Sequence, residues 1–164
     1  MTGRVDLDSV DLRILRILQN NARITNRDLA AEAGVAPSTC LDRVNRLRAS
    51  GVIEGYRLKV SPEALGRPIQ AFLTLRTQHS RDVLAPLAEH ILAQPETRAL
   101  YNIAGASDFL VLVACPDVAT LQRLIVDELT SRPEIHNVET MLVFQEWEGG
   151  PLLPPDAEAG AGAE

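Results

Sequence analysis

Over residues 8–49 the apolar positions recur at three- and four-residue intervals, the period of helices buried on one side. In DSVDLRILRILQN (8–20), Val10, Ile14 and Ile17 line one face, and Leu15 and Leu18 widen it. Asp8 stands at the N-cap and Asp11 at the third helical position, so both acids meet the positive end of the helix dipole. A shorter helix is predicted over 25–33, TNRDLAAEA. There Thr25 and Asp28 have capping-box spacing, and Leu29, Ala30 and Ala33 form the buried side. Gly34 stops this helix, because glycine tolerates the left-handed conformation that ends helices. Pro37 has no amide hydrogen to leave unpaired, and it opens a third helix over 37–49. Cys40, Val44 and Leu47 face the core from it, while Ser38, Thr39, Asp42, Arg43, Asn45 and Arg46 face outward. Residues 52–60 read as a short strand or small wing, and 61–66 as one helical turn in a linker closed by Pro68.

From residue 69 the rhythm changes. IQAFLTLR (69–76) alternates as a strand, and 81–94 is helical, with Leu84, Leu87, Ala88 and Ile91 on one face. Residues 98–104 form a strand, Gly105-Ala106-Ser107 a tight connection, and 108–115 a nearly all-apolar strand. A helix over 117–131 and a strand over 136–147 complete a β-α-β-β-α-β order, the split arrangement of ferredoxin-like domains. Two helices cover one face of such a sheet. The other exposes apolar side chains, and a second copy of the chain is the natural cover. The ending, GGPLLPPDAEAGAGAE (149–164), is rich in Gly, Pro, Ala and acids, and its composition predicts disorder.

Composition adds direction. No run approaches the roughly 18 to 20 apolar residues that span a bilayer, and the acid-rich N-terminus does not read as a secretory signal. Cys40 and Cys115 lie within apolar patterns and read as reduced, buried residues of a cytoplasmic protein. No CxxC, HExxH or Walker-type glycine loop occurs, so no metal or cofactor is expected. The formal charge of -6 is uneven: residues 1–60 carry +3 and residues 61–164 carry -9. The basic front is where a polyanion can dock.

Two short helices joined through Gly34 fit a helix-turn-helix, whose second helix has the width of the DNA major groove. Ser38 and Thr39 can donate to bases or phosphates, and Arg43 and Arg46 lie on one face. Asp42 suits a cytosine amino group or the positioning of Arg46, four residues on. A helical hairpin with a solvated arginine face accounts for the same pattern. The short turn and the positive front favour DNA.

The run LDSVDLRILRILQNNARITNRDLAAEAGVAPSTCLDRVNRLRASGVIEGY resembles the Lrp/AsnC family of transcription regulators, and the likeness continues through AGASDFLVLVACPD to MLVFQEW. The resemblance implies an α+β chain, with an N-terminal winged helix-turn-helix domain and a C-terminal ferredoxin-like βαββαβ ligand-sensing domain. It assigns 5–55 to DNA binding, 56–68 to a strand and linker, 69–148 to effector binding and oligomerisation, and 149–164 to the disordered tail. It implies a non-enzymatic, nucleoid-associated cytoplasmic protein that binds double-stranded DNA as a homodimer or a higher oligomer such as an octamer. The effector is an amino acid or related metabolite bound between dimers. Carried over by position, Ser38, Thr39, Asp42, Arg43, Asn45 and Arg46 are the DNA-binding residues. Gly105, Ala106, Ser107 and Asp108 form the effector loop, with Val118, Thr140 and Leu142 on the pocket wall. Asp108 would meet an α-ammonium group or simply cap the turn. Ala36, where many relatives have Ser, lacks a side-chain cap, and small Ala106 and Ser107 leave room for a bulky ligand. Two other readings share this architecture: a DNA-architectural protein without an effector, and a siroheme-decarboxylase-like enzyme. The enzyme requires clustered basic groups that His79, His90 and His136 do not supply by pattern.

Overall fold

The computed structural model describes residues 5–77 and 81–158. The chain forms two compact units, one of the described residues up to Leu58 with those from Glu148 onward, the other of Lys59–Trp147.

The first unit is built on three helices, α1 (Ser9–Asn20), α2 (Asn26–Ala33) and α3 (Pro37–Ala49). Their ends follow from local chemistry. The Asp8 carboxylate accepts from the amides of Val10 and Asp11, both at 2.9 Å, and Asp11 returns the favour to the Asp8 amide at 3.2 Å. The Thr25 hydroxyl oxygen accepts from the Asp28 amide, and Gly34 ends α2 at φ 71°. Ala36 caps α3 with no side-chain bond, and Asn26 instead donates to the Pro37 carbonyl at 2.8 Å. Ile14, Leu29, Ala30, Ala33, Cys40 and Leu47 make the core between the helices.

Two expectations change here. Residues 52–60 form no hydrogen-bonded strand. The ending is also not structureless throughout. Leu153 is buried in the first unit's core, Ala157 packs against that core, and Pro155–Glu158 forms a short turn of helix. Gln19 on α1 grips the backbone on both sides of one residue: its amide donates to the Leu152 carbonyl at 3.0 Å, and its oxygen accepts from the Leu152 amide at 2.8 Å. Polar composition predicts disorder, but one leucine seated in a groove and two backbone hydrogen bonds outweigh it. Residues 159–164 of the predicted tail lie outside the described residues.

In the second unit, β1 (Ile69–Thr77), β2 (Thr97–Asn102), β3 (Phe109–Cys115) and β4 (Ile135–Leu142) form an antiparallel sheet in the order β2-β3-β1-β4. The helix α4 (Arg81–Ala93) follows β1, and α5 (Val118–Arg123) follows β3. The sequence predicts one α-helix over 117–131, but α5 widens into a π-helix over Leu124–Leu129. The wider turn brings residues five apart onto one side, and Leu124 and Leu129 are both buried. Ala71, Leu73, Leu75, Val111 and Val113 pack with Leu87 and Ile91 on the helix side. The opposite side presents Phe72 beside Leu112 and Met141, and Met141 and Tyr101 are about half exposed. The last strand ends at Leu142 rather than 147, leaving Phe144 and Trp147 exposed.

Candidate nucleic-acid interface and effector site

The arginines of α3 are engaged. Arg43 donates through Nη1 to Asp8 Oδ2 at 2.6 Å and to Asp11 Oδ1 at 2.9 Å. Arg46 donates to Asp11 Oδ2 at 2.5 Å. Asp11 is wholly buried, whereas the Arg43 and Arg46 side chains are 24% and 57% exposed. The cluster explains its own electrostatics. The Asp11 amide and the Arg43 guanidinium hold the Asp8 carboxyl down at about 2. Asp8 and then Asp11 push the Arg43 pKa further up. The acids that cap α1 thus also clamp α3 through its arginines, and Arg46 is positioned by Asp11 rather than Asp42. Arg48 lies over the Tyr56 ring, 5.1 Å from its centroid, a cation–π contact rather than an open phosphate ligand.

What α3 leaves open is a mostly uncharged face. Ser38, Thr39, Leu41, Asp42 and Asn45 are exposed. Among the described residues the side chains of Ser38, Asp42 and Asn45 form no hydrogen bond or ion pair, so their donors and acceptors are available. Their spacing of four and then three residues sets them in a row along the helix. Sequence reasoning placed the arginines in that row because it had no view of α1. It also passed over Asp11, although a buried acid facing two arginines is the main tether of α3.

The effector residues fall into two groups. Gly105 has φ 144°, a conformation open to glycine, and Gly105 and Ala106 are exposed beyond the end of β2. Asp108 is fastened to the scaffold: its carboxylate accepts from the Thr77 amide at 2.6 Å and from the Thr77 hydroxyl at 3.1 Å. Its own amide donates to the Leu75 carbonyl, and its carbonyl accepts from Ile103 and Asn102. Buried Thr77 is a partner the sequence did not suggest. Thr140 pairs with Leu73 and Leu142 with Ala71, and Val118 follows β3 beyond the position paired with Ile69. Six residue steps along the strand separate Ile69 from Leu75, so Val118 stands roughly 20 Å from the loop along the sheet. Within one protomer these residues do not meet in a single pocket.

Among the described residues no group of three His, Cys, Asp or Glu is placed to hold a metal ion. His90 contacts the Glu128 carbonyl and His136 is exposed on β4, while His79 lies outside the described residues. No helix among them is long and apolar enough to cross a membrane.

Comparison with known proteins accounts for both units. Residues 7–54 match a winged helix-turn-helix DNA-binding model, and residues 70–152 match the Lrp/AsnC ligand binding domain. The leucine-responsive regulatory protein of Rhizobium meliloti is 37% identical over 147 residues, covering 89% of this chain and 94% of its own. The transcriptional regulator AldR of Mycolicibacterium smegmatis is 37% identical over 149 residues, covering 90% and 87%. A transcriptional regulator from Neisseria meningitidis, crystallised as a complex with L-Met, superimposes with a TM-score of 0.85 at 27% identity, covering 93% of this chain and 99% of that one. These relatives are regulators, not enzymes, and the chain belongs to the Lrp/AsnC family of transcriptional regulators.

Proposed function

We propose that this regulator is switched by an amino acid or related metabolite bound between dimers. What supports this most is the union, in one chain, of a matched DNA-binding unit and a matched ligand-binding unit. In this reading α3 enters the major groove, with Ser38, Thr39, Asp42 and Asn45 at base edges. Arg43 stays with Asp8 and Asp11 and sets the helix angle. Arg46, the more exposed of the two, exchanges Asp11 for a phosphate. A second copy covers the Phe72–Met141 side of the sheet, and dimers assemble further, up to an octamer. The effector sits between copies. The Gly105–Asp108 loop of one protomer faces the Val118, Thr140 and Leu142 region of another, which reconciles their separation within a chain. Small Ala106 and Ser107 leave space for a bulky or aromatic side chain, and the relative crystallised as a complex with L-Met supports an amino acid as the effector. The protein works in the cytoplasm, on the nucleoid.

The test is a selection of duplexes from a random library by the full-length protein, followed by a thermal-shift panel of the twenty amino acids. One sequence should enrich, and its affinity should fall by about 0.9 log unit per log salt for each phosphate neutralised. At least one amino acid should alter both melting and DNA affinity. No enriched sequence, or binding indifferent to salt, refutes the DNA reading. A panel with no response refutes the effector reading, and a response to Gly and Ala alone refutes the roomy pocket.

A further inference from the structure

The open face of α3 contains one residue whose chemistry the polar reading does not use. Leu41 is 48% exposed although it lies on a helix with a well-filled core side. Single exposed leucines are common on protein surfaces. This one is distinguished by its place. At about 100° per residue it lies about 60° around the helix from Ser38 and about 40° from Asn45, on the edge of the exposed row beside Asn45. It sits in the first half of α3, the part of a recognition helix that reaches base edges. The row's centre also lacks a free cation, since Arg43 and Arg46 are bonded to Asp8 and Asp11. The arginine–guanine contact, the commonest specific contact in the major groove, is therefore not the one this face offers first. An apolar branched side chain among small polar ones matches one feature of that groove, the C5-methyl group of thymine.

We infer that Leu41 is a specificity-determining residue, packing against a thymine methyl group in each half-site of the operator. The inference rests on the recognition-helix reading and adds to it a base identity and an apolar mode of readout. It carries a consequence for DNA chemistry. Deoxyuridine pairs like thymidine and differs only in the missing methyl group, so the contact is removable from the DNA side without touching the protein.

The experiment uses the duplex enriched by the full-length protein. Each thymidine of a half-site is replaced in turn by deoxyuridine, and affinity is measured for the native protein, Leu41→Ala and Leu41→Met. One position should lose roughly fourfold in affinity with the native protein, the effect of one buried methyl group. Leu41→Ala should bind the two duplexes within about twofold of each other, while Leu41→Met, which keeps an apolar reach, should retain the discrimination. Leu41 is outside the core, so unchanged melting temperatures confirm that the variants fold. Native protein indifferent to every replacement overturns the inference and leaves sequence-specific binding standing. So does Leu41→Ala with undiminished discrimination, which assigns the methyl group to another residue. Failure to enrich any sequence removes the recognition-helix reading, and this inference with it.

Discussion

Asp11→Ala separates the two jobs of the α1 acids. The residue is wholly buried, accepts from the Asp8 amide, and holds Arg43 and Arg46. Removing one partner of a fully buried ion pair costs about 3–5 kcal/mol, because a charge is left without compensation. Here the stranded partners are not fully buried. Arg46 is 57% exposed and regains water, and Arg43 keeps Asp8. The capping-box bond to the Asp8 amide is also lost, but the larger part of that cap, from Asp8 to the Val10 and Asp11 amides, survives. A net loss of about 2 kcal/mol follows, below the buried-pair range. For a unit of this size that lowers its melting temperature by roughly 8–16 °C. The second effect has the opposite sign. Deleting one negative charge and releasing Arg46 makes the α3 face more basic and spares Arg46 the loss of Asp11 when it meets a phosphate, so affinity for non-specific duplex rises while the salt slope, set by the number of phosphates neutralised, stays the same. Circular-dichroism melting gives the first quantity, and a salt titration of fluorescent duplex, well below the melting temperature, gives the second. A melting temperature unchanged within about 2 °C refutes the buried-tether argument. A lower melting temperature with unchanged or weaker duplex affinity refutes the claim that Asp11 restrains Arg46 from the phosphates.

The Asp11 amide and Arg43 hold the Asp8 carboxyl down to about 2 in the folded chain, below its ordinary 3.8, so its carboxylate stabilises the folded form fully above that ordinary value, and the contribution disappears as pH falls from about 4 to about 2. A carboxyl NMR titration placing the Asp8 midpoint near 4 contradicts the cap and the Arg43 bond. Leu153→Ala, which empties a site only 9% exposed, should destabilise the first unit by about 2 kcal/mol, the low end for a core leucine since a chain end can readjust; a chain cut after Gly150 should behave similarly, and unchanged melting in both shows that the ending contributes nothing to that unit. Arg43→Ala should lower the melting temperature together with operator affinity, whereas Asn45→Ala should alter operator preference with melting unchanged; the reverse pattern exchanges their assigned roles. Asp108→Asn should loosen Thr77 and the Gly105 loop, and hydrogen exchange at the Thr77 amide, which Asp108 holds at 2.6 Å, should accelerate; unchanged protection there removes Asp108 as the loop's anchor.

Helix positions and the β-α-β-β-α-β order were legible because each rests on signals within a few residues. Asp8 and Asp11 announce a helix start, Gly34 a helix end, and alternation in IQAFLTLR a strand with one buried face. The site was legible only as far as such local signals reach. Heptad-like spacing puts Arg43 and Arg46 outside the core of α3, which is true, but it cannot say what lies beyond them. Their partners are 32 and 35 residues earlier for Arg43 and 35 earlier for Arg46, on a helix that local chemistry had already explained by capping alone. A residue whose role seems complete invites no search for a second one. The ending failed differently. Averaged composition describes GGPLLPPDAEAGAGAE fairly, but burial is decided by individual side chains, and a single leucine with a groove to fill converts a polar segment into part of a core. The effector loop shows the same limit at the level of the assembly. The Gly105–Asp108 loop and Val118 are separately recognisable, yet the sheet register keeps them at different ends of one protomer. A ligand touching both groups must therefore bridge two copies of the chain, which ties ligand occupancy to the geometry between protomers. In the proposed assembly that geometry also spaces two recognition helices along DNA, so an effector bound this way would act on operator affinity without approaching α3.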